Sequence, residues 1–278
     1  MDTDSRPIGV FDSGVGGLTV FHALEQALPA EAMVYLGDTA RVPYGTKSAE
    51  TVIRYTLEAA RFMLRQQVKM VVVACNTASS VAIDAMEKAT RLPVVGVIAP
   101  GARRAVERSM AGRIGVIGTR ATVASGAYKR AIQDRRPDAE VLSQACPLFV
   151  PLAEEGWTEG DITRRVAESY LEPFRRAEVD ALVLGCTHYP LLRGVIGEVM
   201  GPDVVLVDSA ESVAQEVGRK LNDEPALAGP GDAPGRVEHH FYVTDAPEPF
   251  QVVAERFLGR PIRCLEWASL DRTPERGE

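Results

Sequence analysis

Short apolar runs recur along the chain, separated by longer mixed stretches: Ile8–Phe11, Met33–Leu36, Met70–Ala74, Val94–Ile98, Ile114–Ile117, Ala181–Leu184 and Val204–Val207. Several are unbroken Val/Ile/Leu segments closed by Gly, Asp or Asn, the pattern of strands buried on both faces of a parallel sheet. Between them, Ser48–Gln66 and Asp161–Arg176 carry apolar residues at helical spacing. This alternation predicts doubly wound α/β architecture with mainly parallel sheets.

A weak repeat refines the picture. The segment RPIGVFDSG near the start resembles GRIGVIGTR in the middle, and MVVVACNTAS resembles ALVLGCTHYP. The offsets are 106 residues from Ile8 to Ile114 and 111 from Cys75 to Cys186. Two offsets so close predict two similar α/β lobes with an active site in the cleft between them. Residues 1–100 with 209–267 would form the first lobe, and residues 101–208 the second. The strand-like stretches His240–Val243 and Cys264–Glu266 would return to the first sheet. Asn222–Arg236 is rich in Gly, Pro and Asp and reads as an exposed loop, and the polar tail from 268 to 278 as disordered.

Composition narrows the function. At 46% hydrophobic and 25% charged, the 278-residue chain has an ordinary globular balance. Its net charge of −7 speaks against a nucleic-acid partner, which requires a concentrated basic surface. The pairs Arg103–Arg104, Arg135–Arg136 and Arg175–Arg176 read as solvated helix faces. The N-terminus lacks the apolar core of a signal peptide, and no apolar run approaches the about 20 residues of a membrane span. A cytoplasmic location and no membrane partner are expected. Four cysteines without close pairing argue against a disulfide framework and a structural zinc site, leaving inert or reactive thiols.

Ligands of open α/β sheets bind beyond the strand C-termini. Four polar turns fall there: Asp12-Ser13-Gly14, the stretch from Asp38 to Gly45, Cys75-Asn76-Thr77 and Cys186-Thr187-His188. A cysteine in an apolar strand is usually a packed small residue, and Cys146 and Cys264 are read so. Cys75 and Cys186 differ, because each stands at a strand exit, before polar residues and at matching places in the repeat. A following helix N-terminus would favour a thiolate or a ligand carboxylate. His188 is read as handling protons. Asp12 would either cap the next helix or orient or deprotonate a thiol. Gly14-Val15-Gly16-Gly17 lacks the third glycine of a dinucleotide fingerprint, since position 19 is threonine, and reads as a tight turn close to a small ligand. The histidines lack ligand spacing, so no metal is expected.

These segments closely resemble the glutamate racemases of the aspartate/glutamate racemase superfamily. GVFDSGVGGLTV, YLGDTARVPYG, ACNTAS, GVIAPGA, VIGTRATVASGAY, CPLFVPLAEEG and LGCTHYPLL occur in that family's order, from residue 8 to about residue 210. The resemblance implies racemisation of glutamate without cofactor or metal, supplying D-glutamate for bacterial peptidoglycan. One cysteine would remove the α-proton from one face and the other return a proton on the opposite face. Carried over by motif, Cys75 and Cys186 are this pair, with Asp12 assisting Cys75 and His188 assisting Cys186. Within PLAEEG the glutamate supporting the second cysteine is Glu155 or Glu154, and Glu155 is favoured. Implied substrate contacts are Asp12, Ser13, Tyr44 with Gly45, Asn76 with Thr77, and Thr187 with His188; Thr119 and Thr122 would add hydroxyl donors. Arg41 apart, these turns carry no Arg or Lys, so hydroxyl, amide and backbone donors would hold the substrate's carboxylates. The resemblance admits a homodimer. Competing expectations are a racemase of another acidic substrate such as aspartate, and a non-catalytic two-lobe amino-acid-binding protein.

Overall fold

The computed structural model describes residues 4–224 and 237–270. Strands β1 (Ile8–Asp12), β2 (Met33–Gly37), β3 (Met70–Val73) and β4 (Val94–Gly96) belong to the first sheet. Strands β5 (Arg113–Gly118), β6 (Glu140–Ala145), β7 (Ala181–Gly185) and β8 (Val205–Asp208) make the second, and β9 (His240–Val243) with β10 (Leu265–Trp267) returns to the first. The orders are β10-β9-β2-β1-β3-β4 and β6-β5-β7-β8. Every pairing is parallel.

With β9 and β10 set aside, the two orders have the same plan. A central strand is flanked by the next strand on one side and the third on the other, with the fourth outside the third. The repeat detected in sequence therefore pairs β1 with β5 and β3 with β7, the central strand and its neighbour in each sheet.

Helices fill the connections. The first half has α1 (Leu18–Ala27), α2 (Ala49–Arg65), α3 (Asn76–Ser79), α4 (Ile83–Thr90) and α5 (Ile98–Arg108). The middle has α6 (Arg120–Ser125), α7 (Ala127–Gln133), α8 (Phe149–Glu154), α9 (Asp161–Arg176) and α10 (Arg193–Met200). Finally come α11 (Ser209–Asp223) and α12 (Pro247–Leu258). Ser48 caps α2 by accepting from the Thr51 N–H at 3.3 Å.

Alternate residues of the first sheet's strands enter two cores. Ile8, Val10, Met70 and Val72 join Leu18 and Phe21 of α1, whereas Phe11, Val71 and Val73 join Ala59 and Met63 of α2. Burying each large apolar side chain contributes about 1.5–3 kcal/mol. The first core also takes in Ile114, Val116 and Val183 of the second sheet and Val213 and Val217 of α11. One continuous apolar mass thus fixes the two sheets relative to each other.

Three expectations change. Val97 and Ile98 leave the predicted strand, since β4 stops at Gly96 and α5 starts at Ile98. β6 carries no apolar run because it is a half-exposed edge strand, so periodicity missed it. Ala268 and Leu270, assigned to a loose tail, are buried in the core beside α2. Of the predicted loop at 222–236, residues 222 and 223 close α11; residues 225–236, like the tail residues 271–278, lie outside the described residues.

Candidate active site

Each sheet reverses winding direction beside its central strand, and such switch points open crevices at strand C-termini. Here the crevices of the two sheets face one cavity of about 460 Å³. Ser13 follows β1, and Cys75, Asn76 and Thr77 follow β3; opposite them, Thr119 follows β5, and Cys186, Thr187 and His188 follow β7. All of these residues line the cavity, as do Tyr44, Gly45 and Glu154. Asp12 lies one layer behind, fully buried at the end of β1. Thr122 is also buried there, its hydroxyl 3.2 Å from that of Thr77 and 3.0 Å from that of Thr119.

The two thiols have different surroundings. Cys75 Sγ donates to Ser13 Oγ at 3.3 Å and accepts from the Ala78 N–H at 3.5 Å. Burial and then the nearby Asp12 charge push its thiol up to about 12, overcoming those hydrogen bonds. The expected thiolate-favouring helix N-terminus is a four-residue turn, too short to outweigh desolvation. Cys186 Sγ stands 3.7 Å from His188 Nδ1, and His188 Nε2 is 2.9 Å from Glu154 Oε1. Burial alone would lower His188, but its hydrogen bonds to Cys186 and Glu154 prevail and raise it to about 10. A protonated imidazole there offers a thiolate a charged donor.

Asp12 does not cap α1; its Oδ2 accepts from the Gly14 N–H at 2.9 Å. Burial raises its carboxyl, against the opposing pull of His188 and of the Gly14, Gly17 and Ser13 N–H groups. Its Oδ1 has no hydrogen-bond partner among the described residues. The glycine turn is tight for a second reason beside the one expected. A Cβ on Gly16 would come within 2.3 Å of Thr187 Oγ1 and 2.5 Å of His188 Nδ1, and one on Gly17 within 2.4 Å of Asp12 Cβ. Gly16 and Gly17 thus make room for the second cysteine's loop and for Asp12, while Gly14 and Val15 of the same turn line the cavity.

Five assignments are corrected or added. The carboxylate at His188 belongs to Glu154, not Glu155, which caps the end of α8 and is exposed. Phe149 and Ala153, four apart, turn inward and set the rotation of that helix. Arg41 does not face the cavity as a free cation. Its Nε donates to Asp38 at 2.7 Å, it also pairs with Glu58, and it lies 4.1 Å over the Tyr55 ring. The Tyr44 hydroxyl is likewise committed to Asp38, so Tyr44 and Gly45 present ring and main chain to the cavity. Sequence reasoning missed Arg120 on α6, which lines the cavity, is exposed and makes no ion pair among the described residues. It also missed α12, whose Phe250 and Val253 line the cavity and whose Phe257 stacks edge-on against His188 at 5.4 Å. The sequence of α12 carries no chemical motif, so only its fold position could reveal it. Cys146 is buried in the second sheet's core, and Cys264 is exposed beside Glu238.

Fold and cavity define a two-lobed cleft enzyme with one thiol on each wall. The family profile for Asp/Glu/Hydantoin racemase matches residues 8–217. The glutamate racemase of Geobacter metallireducens is 52% identical over 270 residues, which is 97% of this chain and 99% of that protein. The crystal structure of Francisella tularensis glutamate racemase in complex with D-glutamate aligns with TM-score 0.89 at 40% identity, covering 96% of this chain and 98% of the other. The Thermus thermophilus glutamate racemase in complex with β-chloro-D-alanine gives 0.85 at 48% identity, covering 96% and 98%. The chain belongs to the Asp/Glu/hydantoin racemase family and, within it, to the glutamate racemases.

Proposed function

We propose that this protein interconverts L- and D-glutamate by a two-thiol mechanism, in which Cys75 and Cys186 act on opposite faces of the α-carbon. Inversion at a stereocentre needs a base and an acid on opposite sides of one carbon. The observation that carries the reading is the placement of two thiols from equivalent strand ends on facing walls of one cavity, each with its own proton-handling neighbour. In one direction the Cys186 thiolate takes the α-proton: the C–H bond breaks, an S–H bond forms, and the electron pair stays on carbon. The Cys75 thiol then gives its proton to the opposite face. The high position of Cys75 fits the acid of this step, and the protonated His188 fits the partner of a thiolate.

In the other direction the roles exchange. Asp12, buried beside Cys75 with one oxygen unpartnered, is placed to draw the proton from that thiol, and His188 with Glu154 to return one to Cys186. Ser13, Asn76, Thr77, Thr119, Thr187 and the main chain of Tyr44–Gly45 supply neutral donors for the two carboxylates. Neutral donors hold the substrate without quenching a thiolate. Val42, Pro43, Val150 and Phe250 give the cavity apolar walls, which strengthen those polar contacts. No helix of the described residues is long and apolar enough to cross a membrane. A cytoplasmic enzyme, alone or as a homodimer, supplying D-glutamate for peptidoglycan completes the proposal.

The test is conversion of L-glutamate by the purified chain without added cofactor, with α-proton exchange followed in deuterated water. L-Aspartate serves as the comparison. Cys75→Ser and Cys186→Ser should each remain folded and lose turnover severely. Near-normal turnover in both variants would refute the two-thiol mechanism, and preferred exchange of aspartate would refute the substrate.

A further inference from the structure

Tyr128 stands on α7, on the second sheet's side of the molecule, and is 2% exposed. Its ring occupies a slot held open by two glycines. A Cβ on Gly101 would lie 3.3 Å from the ring's Cε1 and Oη, and one on Gly185, directly before Cys186, 3.1 Å from Cε2. The ring therefore has little room to move. From that slot the hydroxyl donates to Asn76 Oδ1, on the opposite wall, at 2.7 Å. Burial, followed by the Asp208 and Cys186 charges, keeps the phenol protonated well above neutral pH, so the group remains a donor.

Asn76 is itself 2% exposed and lines the cavity between Cys75 and Thr77. Its Nδ2 is buried and has no hydrogen-bond partner among the described residues. A carboxamide has one accepting oxygen and one donating NH₂ group, and an unpaired buried donor is costly. With the oxygen taken by Tyr128, the NH₂ group is what Asn76 has left for a ligand.

We infer that Tyr128 is a positioning residue for racemisation: its hydroxyl fixes the Asn76 carboxamide so that the NH₂ group, not the oxygen, meets a substrate carboxylate. This rests on the glutamate-racemase reading above. A carboxamide released from Tyr128 turns over freely, and in the turned state its oxygen faces the carboxylate, acceptor against acceptor. The same bond ties the two walls together where the substrate sits, beside the Thr77–Thr119 contact at 3.0 Å.

The experiment is a double-mutant cycle of Tyr128→Phe and Asn76→Ala, with KM and kcat measured for both enantiomers and melting temperature recorded alongside. Phenylalanine still fills the slot, so Y128F should melt near the wild type, with KM raised about tenfold and kcat within about threefold, the loss of one well-placed hydrogen bond to a charged group. In the N76A background the same change should add less than about twofold, because no amide remains to orient. An equal loss in both backgrounds, or an unchanged KM in Y128F, overturns the inference. Asn76→Asp keeps an acceptor for Tyr128 but removes the NH₂ donor, and should raise KM at least about tenfold. An unchanged KM there overturns the inference even if Y128F folds poorly. If the wild-type chain leaves glutamate unchanged, the proposed activity fails and this inference with it; if it turns glutamate over but the cycle shows no coupling, only the role of Tyr128 falls.

Discussion

Gly16 sits where the first lobe's glycine turn presses on the second cysteine's loop, and Gly16→Ala is the sharpest test of that contact. The new methyl would lie 2.3 Å from Thr187 Oγ1, 2.5 Å from His188 Nδ1 and 2.6 Å from His188 Cε1, against the 3.4 Å of an ordinary contact. Something must move by about an ångström. His188 cannot swing aside cheaply, since it is held by Glu154 at 2.9 Å and covered by the Phe257 ring. Overpacking of this kind costs about 1–3 kcal/mol of stability. Displacing a proton-handling group by an ångström costs turnover on the order of 10²-fold. Gly194→Ala on α10 is the control, because a Cβ there meets nothing within 4 Å. Replacing a helical glycine without a clash should be neutral or stabilise by up to about 1 kcal/mol. Urea unfolding and turnover of both variants, side by side, make the comparison. Wild-type turnover in G16A would refute the packing argument and with it the placement of His188.

Glu154→Gln should lower turnover and Glu155→Gln should not. The Glu154 side chain is 43% exposed, so solvent screening reduces its charged hydrogen bond to about 1 kcal/mol, roughly fivefold in rate. The raised His188 holds its proton below about 10 and loses it as pH climbs through that value; removing Glu154 takes away one raising partner, so the alkaline limb of the pH–rate profile should move to lower pH. Carbamidomethylation of Cys75, read out by peptide mass spectrometry, should still accelerate above pH 9, where an ordinary thiol levels off, because burial and Asp12 hold its proton to about 12; a plateau below pH 9 would contradict that environment. Arg120→Glu should reduce kcat/KM for the anionic substrate several-fold at low salt, and the difference should shrink as ionic strength rises; salt-independent loss would mean that Arg120 acts in some other way.

How far the site can be read from the sequence is clearest at neighbouring residues. Cys75 and Cys186 stand out because an unbroken buried strand ends and a polar turn begins at each, and the repeat aligns them. Glu154 and Glu155 do not separate that way. Both close the same short helix, and only the inward turn of Phe149 and Ala153 decides that Glu154 reaches His188. Arg41 has the sequence position of a cation facing the ligand, yet Asp38 and Glu58 claim it, partners 3 and 17 residues away. Arg120, between Thr119 and Thr122 and passed over beside them, has no such partner among the described residues and lines the cavity.

Every strand but β6, the long helices α2 and α9, the two-lobe repeat and both thiols are determined by the chain itself, because they depend on local periodicity and on the residue types at each strand exit. Tertiary structure decided the rest: which carboxylate meets His188, how α12 closes the cavity, where edge strand β6 runs and which way the Asn76 carboxamide points. Each of these depends on contacts between segments far apart in sequence, and such contacts leave no period for a local pattern to carry.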